Sequence, residues 1–332
     1  MGSFFSKQPK FDPAKDLQDL TGKVAIVTGG NSGIGFATVQ LLARHGAKVY
    51  IGARSEERAK AAIERLRAEG LEPGKGEVEW LELDLGDPRK AKQSAETFLT
   101  KEKRLDILVN NAGVMRIPYR LVEPYEGIQE NMLVNHVSPF VFTKTLLPLL
   151  TQTAKEPGSD VRVVVVSSET IGYLKGRELH FRDINDLNEK FGNNIASDLK
   201  RYAYSKLANV LYAKQLQKKL DFEGIPITVM SLHPGAVYTE GFHKDPLTKA
   251  PIIGPLFTFV ASKLFLTPTE GAYASVFAAA SPRVKEERDK YKGAYLVPPG
   301  KIETPPAPQA ENKELAEELW ATTEAVLKSF DL

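Results

Sequence analysis

The chain has 332 residues, 42% hydrophobic and 26% charged, and a net charge of +2. This is the composition of a globular protein with a sizeable core, and its near-neutral balance gives nucleic acid or an acidic partner nothing to grip. There is no cysteine, which excludes disulfides, thiolate catalysis and cysteine-based metal sites, and the five histidines show no metal-ligand spacing. A cysteine-free chain fits a reducing compartment, so the cytoplasm is the expected location.

Residues 1–20 are polar and proline-containing and read as a tail, with no apolar run of secretory type. The start Met1-Gly2-Ser3-Phe4-Phe5-Ser6 matches the pattern for Gly2 acylation, and one acyl chain would give only weak membrane association. The apolar run Lys23–Val27 reads as a buried parallel strand. Glycines 29, 33 and 35 follow, then a helical pattern over Phe36–His45. In that context Gly29 permits the tight turn, Gly33 lets a pyrophosphate approach the backbone, and Gly35 lets the helix pack against the strand. A second strand, Lys48–Gly52, ends in Gly52-Ala53-Arg54-Ser55. An acid there would bind the adenosine ribose of NAD. Its absence, with Arg54 able to pair with a 2′-phosphate, points to NADP(H) over NAD. Ser55 caps a helix over 55–69.

A third strand, Glu77–Leu83, ends in Asp84-Leu85, where Asp84 serves either the adenine amino group or a turn. A helix over Pro88–Lys101 and a strand over Leu105–Val109 lead into Asn110-Asn111-Ala112-Gly113. The pattern then predicts one long helix over Tyr125–Thr153, in which Asn135 lies among apolar neighbours and needs a partner. Val161–Val166 is a central strand ending in Ser167-Ser168. In Tyr202-Ala-Tyr-Ser-Lys206 one helical turn separates Tyr202 from Lys206. A neighbouring ammonium can bring a phenol, with its ordinary pKa near 10, into range for proton transfer. Tyr204 has no lysine four residues on and reads as packing. A sixth strand, Ile225–Leu232, precedes His233-Pro234-Gly235-Ala236-Val237-Tyr238-Thr239. Residues 240–266 are apolar but interrupted by Pro255 and Lys263, too short to span a bilayer. A helix opening at Pro268, a strand over Gly293–Val297 and a terminal helix over Asn312–Lys328 complete the chain.

The Thr28-Gly29-x-x-x-Gly33-x-Gly35 spacing, Asn110-Asn111-Ala112-Gly113, Ser168 and Tyr202-x-x-x-Lys206 together resemble the short-chain dehydrogenase/reductase family. The stretch between Ser168 and Tyr202, and Pro268-x-Glu270-Gly271-Ala272, resemble its retinol-dehydrogenase-like or WW-domain-oxidoreductase-like branch. The resemblance covers residues 22–300 and implies an α/β fold: a Rossmann-type doubly wound parallel sheet of about seven strands in a single domain, with an insert over 170–200, a substrate lid over 240–266 and a C-terminal extension over 301–332. It implies Asn135, Ser168, Tyr202 and Lys206 as catalytic residues, no metal, and a cofactor held by Gly29, Asn31, Ser32, Gly33, Ile34, Gly35, Arg54, Asp84, Leu85, Asn111, Ala112, Gly113, Tyr202, Lys206, Pro234, Gly235, Val237 and Thr239. The expected activity is NADP(H)-dependent reduction of an aldehyde or ketone of an apolar small molecule, or the reverse. The alternatives are a retinoid- or sterol-type alcohol dehydrogenase, a secondary-metabolite reductase and, remotely, a non-catalytic NADP-binding interaction protein. Family members commonly pair through the helices holding Asn135 and Tyr202, which makes a homodimer or tetramer the expectation.

Overall fold

Each strand expected from the sequence forms among the described residues. In a computed structural model, which describes residues 11–115, 118–122, 127–237 and 265–332, the strands are β1 (Val24–Thr28), β2 (Lys48–Ala53), β3 (Val78–Glu82), β4 (Ile107–Asn110), β5 (Leu121–Val122), β6 (Ile128–Gln129), β7 (Val161–Val166), β8 (Ile227–Leu232), β9 (Tyr295–Val297) and β10 (Lys301–Ile302). The helices are α1 (Pro13–Asp16), α2 (Gly33–Arg44), α3 (Glu56–Glu69), α4 (Pro88–Lys101), α5 (Glu130–Met132), α6 (Ser138–Ala154), α7 (Ile184–Leu187), α8 (Ile195–Phe222), α9 (Pro268–Ala280), α10 (Pro282–Glu286), α11 (Arg288–Tyr291) and α12 (Lys313–Ser329).

The main sheet has eight strands in the order β10-β9-β8-β7-β4-β1-β2-β3. All neighbours are parallel except β10, which pairs antiparallel with β9, with Lys301 opposite Val297. Seven strands match the expected ones, and β10 is an added edge strand. The chain runs outward from β1 through β2 to β3 on one side, and from β4 through β7 to β9 on the other. The order therefore reverses between β1 and β4, where doubly wound sheets open a crevice at the carboxyl ends of their strands. One apolar cluster packs α4, α6, α8 and α12 on one face, and a second packs α2, α3 and α9 on the other. The predicted Ser55 cap forms, its Oγ accepting from Arg58 N at 3.3 Å, and α9 opens at Pro268 behind a reciprocal capping box of Thr267 and Glu270.

The expected helix over 125–153 begins later. Residues 128–129 pair with 121–122 as a hairpin, and a single π-helical turn, Leu133–Val137, separates α5 from α6. Its 3.6-residue apolar pattern is that of an ordinary helix, so the sequence hid the extra residue. The stretch before Tyr202 packs against the core instead of lying in solvent. Phe181 is fully buried and stacks on Tyr204 with centroids 4.5 Å apart. The leader contains α1, with Asp12 Oδ1 accepting from Ala14 N at 3.1 Å and Phe11 edge-on to Phe277 at 5.4 Å. Gly2, and residues 240–264 of the expected lid, lie outside the described residues. No helix among the described residues is long and apolar enough to cross a membrane.

The terminal helix α12 lies between α6 and α8. Along one stripe of the π turn and α6, His136 Nε2 meets Thr323 Oγ1 at 2.9 Å, Phe140 packs on Trp320 with centroids 4.7 Å apart, and Lys144 pairs with Glu324 at 3.4 Å. From α8, Tyr212 stacks on Trp320 at 5.9 Å and Lys219 sits over its ring at 4.8 Å. Gln309 Nε2, just before α12, donates to Leu174 O at 2.9 Å and Arg177 O at 2.8 Å, which ties the extension to the insert. Trp320→Ala is expected to cost about 2–3 kcal/mol, below the range for a fully buried tryptophan because this one is half-buried. Thermal denaturation should show a midpoint about 5 °C lower. A change under about 1 °C would mean that α12 only rests on the surface.

Candidate active site and cofactor cleft

The glycine corner follows from local geometry. Gly29 (φ +66°) and Gly33 (φ +54°) take backbone angles that side chains disfavour. Gly29 N donates to Gly52 O at 2.7 Å, joining the ends of β1 and β2. A Cβ on Gly35 would overlap the Gly29 carbonyl and stand 2.6 Å from Asn111 Nδ2, so only glycine lets α2 begin this close to β1. Ser32, the N-cap of α2, makes no side-chain cap bond, which leaves its hydroxyl and the first N–H groups of Gly33, Ile34 and Gly35 open. Across the crevice, Thr28 Oγ1 accepts from Asn111 N at 3.0 Å and Ala112 N at 2.9 Å, while Asn111 Nδ2 donates to Thr28 O at 2.8 Å. The clamp holds the ends of β1 and β4 at the switch point.

Between them opens a cleft of about 200 Å³ lined by Gly29, Asn31, Arg54, Asp84, Leu85, Ala112 and Gly113, together with Val114, Glu130 and Val134. Arg54 is exposed at its rim. Asp84 Oδ1 accepts from Gly86 N at 3.0 Å, so this side chain holds its own turn while facing the cleft. Bare glycine backbone, an uncapped helix N-terminus and an arginine at the rim fit a phosphorylated dinucleotide. On the far side, Val237 forms a bridge with Leu266. A Cβ on Gly271 would stand 3.0 Å from Val237 Cγ1 and 3.3 Å from Ile34 Cγ1. Val237 is thus brought back toward the glycine corner, Pro234 and Gly235 precede it in the turn after β8, and Thr239 lies outside the described residues.

The polar residues converge beside this cleft. Asn135 is buried in the π turn. Its Oδ1 accepts from Val114 N at 2.7 Å, and its Nδ2 donates to Val114 O and Ser205 Oγ, both at 2.9 Å. Ser168 follows β7, and its Oγ accepts from Thr170 N at 3.2 Å and Thr170 Oγ1 at 3.0 Å, which leaves its own proton to donate. Burial pushes the Tyr202 phenol up to about 12, against the opposing effect of its hydrogen bond with Ser168. Lys206 Nζ donates to Val166 O at 2.9 Å and lies 5.8 Å from the Tyr202 ring centroid, and burial pushes its pKa down to about 8. A Cβ on Gly113 would be 3.1 Å from both Asn135 Oδ1 and Lys206 Nζ. The cleft-lining glycine therefore touches the polar cluster directly.

Ser205, Thr170, Val114, Glu130 and Val134 were not marked by sequence, and Gly271 was marked only within the Pro268-x-Glu270-Gly271-Ala272 motif, not as a site residue. Only Ser205 had a readable signal, since a buried helical asparagine must find a partner and Ser205 sits beside Lys206 on a facing helix. Among the described residues no group of three or more His, Asp or Glu side chains is placed to hold a metal.

Residues 23–175 match the family model for short chain dehydrogenases. A short-chain dehydrogenase/reductase of Armillaria gallica is 48% identical over 319 residues, covering 95% of this chain and 96% of that protein. Human retinol dehydrogenase 14 is 36% identical over 320 residues, covering 93% of this chain and 86% of that one. The crystal structure of an uncharacterized protein from Mycobacterium paratuberculosis superposes with a TM-score of 0.69 at 27% identity, covering 96% and 97% of the two chains. With the glycine corner and the strand-end clamp at one crevice and the Tyr202–Lys206 pair beside it, the chain belongs to the short-chain dehydrogenase/reductase family of oxidoreductases, in its retinol-dehydrogenase-like branch.

Proposed function

We propose that the protein reduces an aldehyde or ketone of an apolar small molecule to the alcohol, or runs the reverse reaction, with NADP(H). One observation carries the reading: Gly113 lines the dinucleotide cleft and at the same time lies against Asn135 and Lys206. The chemistry of the chain's own residues follows from that contact. Ser168 donates to the substrate carbonyl oxygen, and Tyr202 gives it a proton. Lys206 favours the resulting phenolate, and Asn135 anchors the Val114 backbone beside the ammonium and holds a water on the proton path. The glycine corner, Asn31, Ser32, Asn111 and Ala112 hold the phosphates and ribose. Arg54 takes the 2′-phosphate, Asp84 and Leu85 flank the adenine, and Pro234, Gly235, Val237 and Thr239 face the carboxamide. When bound, the reduced cofactor supplies the hydride.

The likeness to human retinol dehydrogenase 14 favours a second substrate reading within the same chemistry, a retinoid- or sterol-like alcohol. A panel of apolar aldehydes and cyclic ketones followed by NADPH consumption, and of retinoid and sterol alcohols followed by NADPH formation from NADP+, separates the two. In this proposal the protein works in the cytoplasm. Pairing of two copies needs a face other than the groove between α6 and α8, because α12 already fills it. Light scattering on the full chain reads the assembly state.

Tyr202→Phe is expected to lower kcat for every active substrate by about 10²–10⁴ with little change in cofactor affinity. Turnover within a few-fold of the parent would remove Tyr202 as the acid. Arg54→Ala is expected to raise KM for NADPH by about tenfold or more and leave NADH nearly unchanged. Equal effects on both cofactors would end the 2′-phosphate assignment. Reduction uses the protonated phenol, and burial holds Tyr202 near 12. Its kcat should therefore stay level through neutral pH and fall only on the alkaline side. Alcohol oxidation needs the phenolate and should rise with pH over the same window. A reduction rate that declined between about pH 6 and 8 would point to another acid.

A further inference from the structure

His233 has a place that the catalytic scheme does not use. It follows β8, and Gly235 N donates to its Nδ1 at 3.1 Å across Pro234. Pro234 offers no N–H, and Gly235 sits at φ +88°, so the Gly235 amide is the first backbone donor after His233, and it turns back to the ring. The ring is held in turn. Its backbone N donates to Leu296 O at 3.1 Å, and its face stacks on Tyr295 with centroids 6.0 Å apart and planes 26° from parallel. Burial lowers the His233 pKa and outweighs the carboxylates of Glu169 and Glu303, which act to raise it. Because the Gly235 N–H is donated to Nδ1, that nitrogen is the acceptor and the ring proton sits on Nε2. Two residues on from the turn, Val237 bridges to Leu266 and packs toward Gly271 and Ile34 at the glycine corner.

We infer that His233 is a positioning residue whose Nδ1 sets the Pro234-Gly235 turn, and so the approach of Val237 to the nicotinamide end of the cofactor. The inference rests on the functional reading above, and its test separates the two. Three proteins are compared: the parent, His233→Asn, whose Oδ1 can stand in for Nδ1, and His233→Leu, which removes the acceptor. Each is titrated with NADPH and with adenosine 2′,5′-bisphosphate, a fragment that lacks the nicotinamide end, and each is melted without ligand. His233→Leu should bind NADPH about tenfold more weakly, while its affinity for the fragment stays within about twofold of the parent. His233→Asn should recover most of the NADPH affinity. Equal NADPH affinity for the leucine and asparagine variants would overturn the inference, as would parallel loss of both ligands with a lower melting midpoint, the mark of a merely structural ring. A parent that binds neither ligand would sink the cofactor reading itself and the inference with it.

Discussion

The costly element of this site is an amine kept from water. Lys206 is 3% exposed, and among the described residues its ammonium donates to a single acceptor, the Val166 carbonyl. Burying a cation with so few partners pulls its pKa down, and here it falls to about 8. The same burial drives Tyr202 the opposite way, to about 12. Both groups are thus displaced toward their neutral forms, and each would be eased by the other's charge. The sheet makes this arrangement affordable. β7 ends at the depth where its last carbonyl meets the ammonium, and Gly113 at the end of β4 leaves room where any side chain would stand 3.1 Å from the nitrogen.

Close approach is the theme elsewhere in the crevice as well. The Thr28 hydroxyl serves two backbone amides, and the Asn111 side chain returns a bond to the Thr28 carbonyl. Asn111 N also reaches the Val109 carbonyl, but Ala112 N has the Thr28 hydroxyl as its partner, and an unpaired amide inside the protein costs about 1–3 kcal/mol. The clamp satisfies that amide and keeps the strand ends apart by a fixed amount, so the bare backbone at Gly29 and Gly33 faces an open cleft.

Much of this was legible in the chain, for identifiable reasons. Strands such as Val161–Val166 announce themselves because a sheet buried on both faces needs continuous β-branched runs, and helices such as Pro88–Lys101 because caps and amphipathic period are local properties. The glycine spacing and the Tyr202–Lys206 interval are likewise local. Features defined by distant partners stayed hidden. The π turn around Asn135 has an ordinary helical pattern, and the side chain's bonds run to Val114 and Ser205, 21 and 70 residues away. The packing of Phe181 could not be read from a stretch rich in charge and amide. The role of α12 depends on Phe140 and Tyr212, which no periodicity within 313–329 could reveal.

The two tyrosines of Tyr202-Ala-Tyr204 show how such distant contacts decide chemistry. Two residues apart on a helix, they face different directions. Tyr204 stacks on Phe181, and its hydroxyl donates to the His180 carbonyl, while burial and the nearby acids Asp186, Glu189 and Glu318 push its pKa up. Its proton is committed to a backbone acceptor and its ring to the insert. Tyr202 has Ser168 as its hydroxyl partner and Lys206 one turn on. The insert is in turn tied to the C-terminal extension, where Phe181 N donates to Glu318 Oε2 at 2.5 Å and Gln309 bonds the carbonyls of residues 174 and 177. The segments outside the minimal fold therefore brace the back of the helix whose front carries Tyr202 and Lys206. They hold one tyrosine in packing, while the other keeps Ser168 and Lys206 as its neighbours.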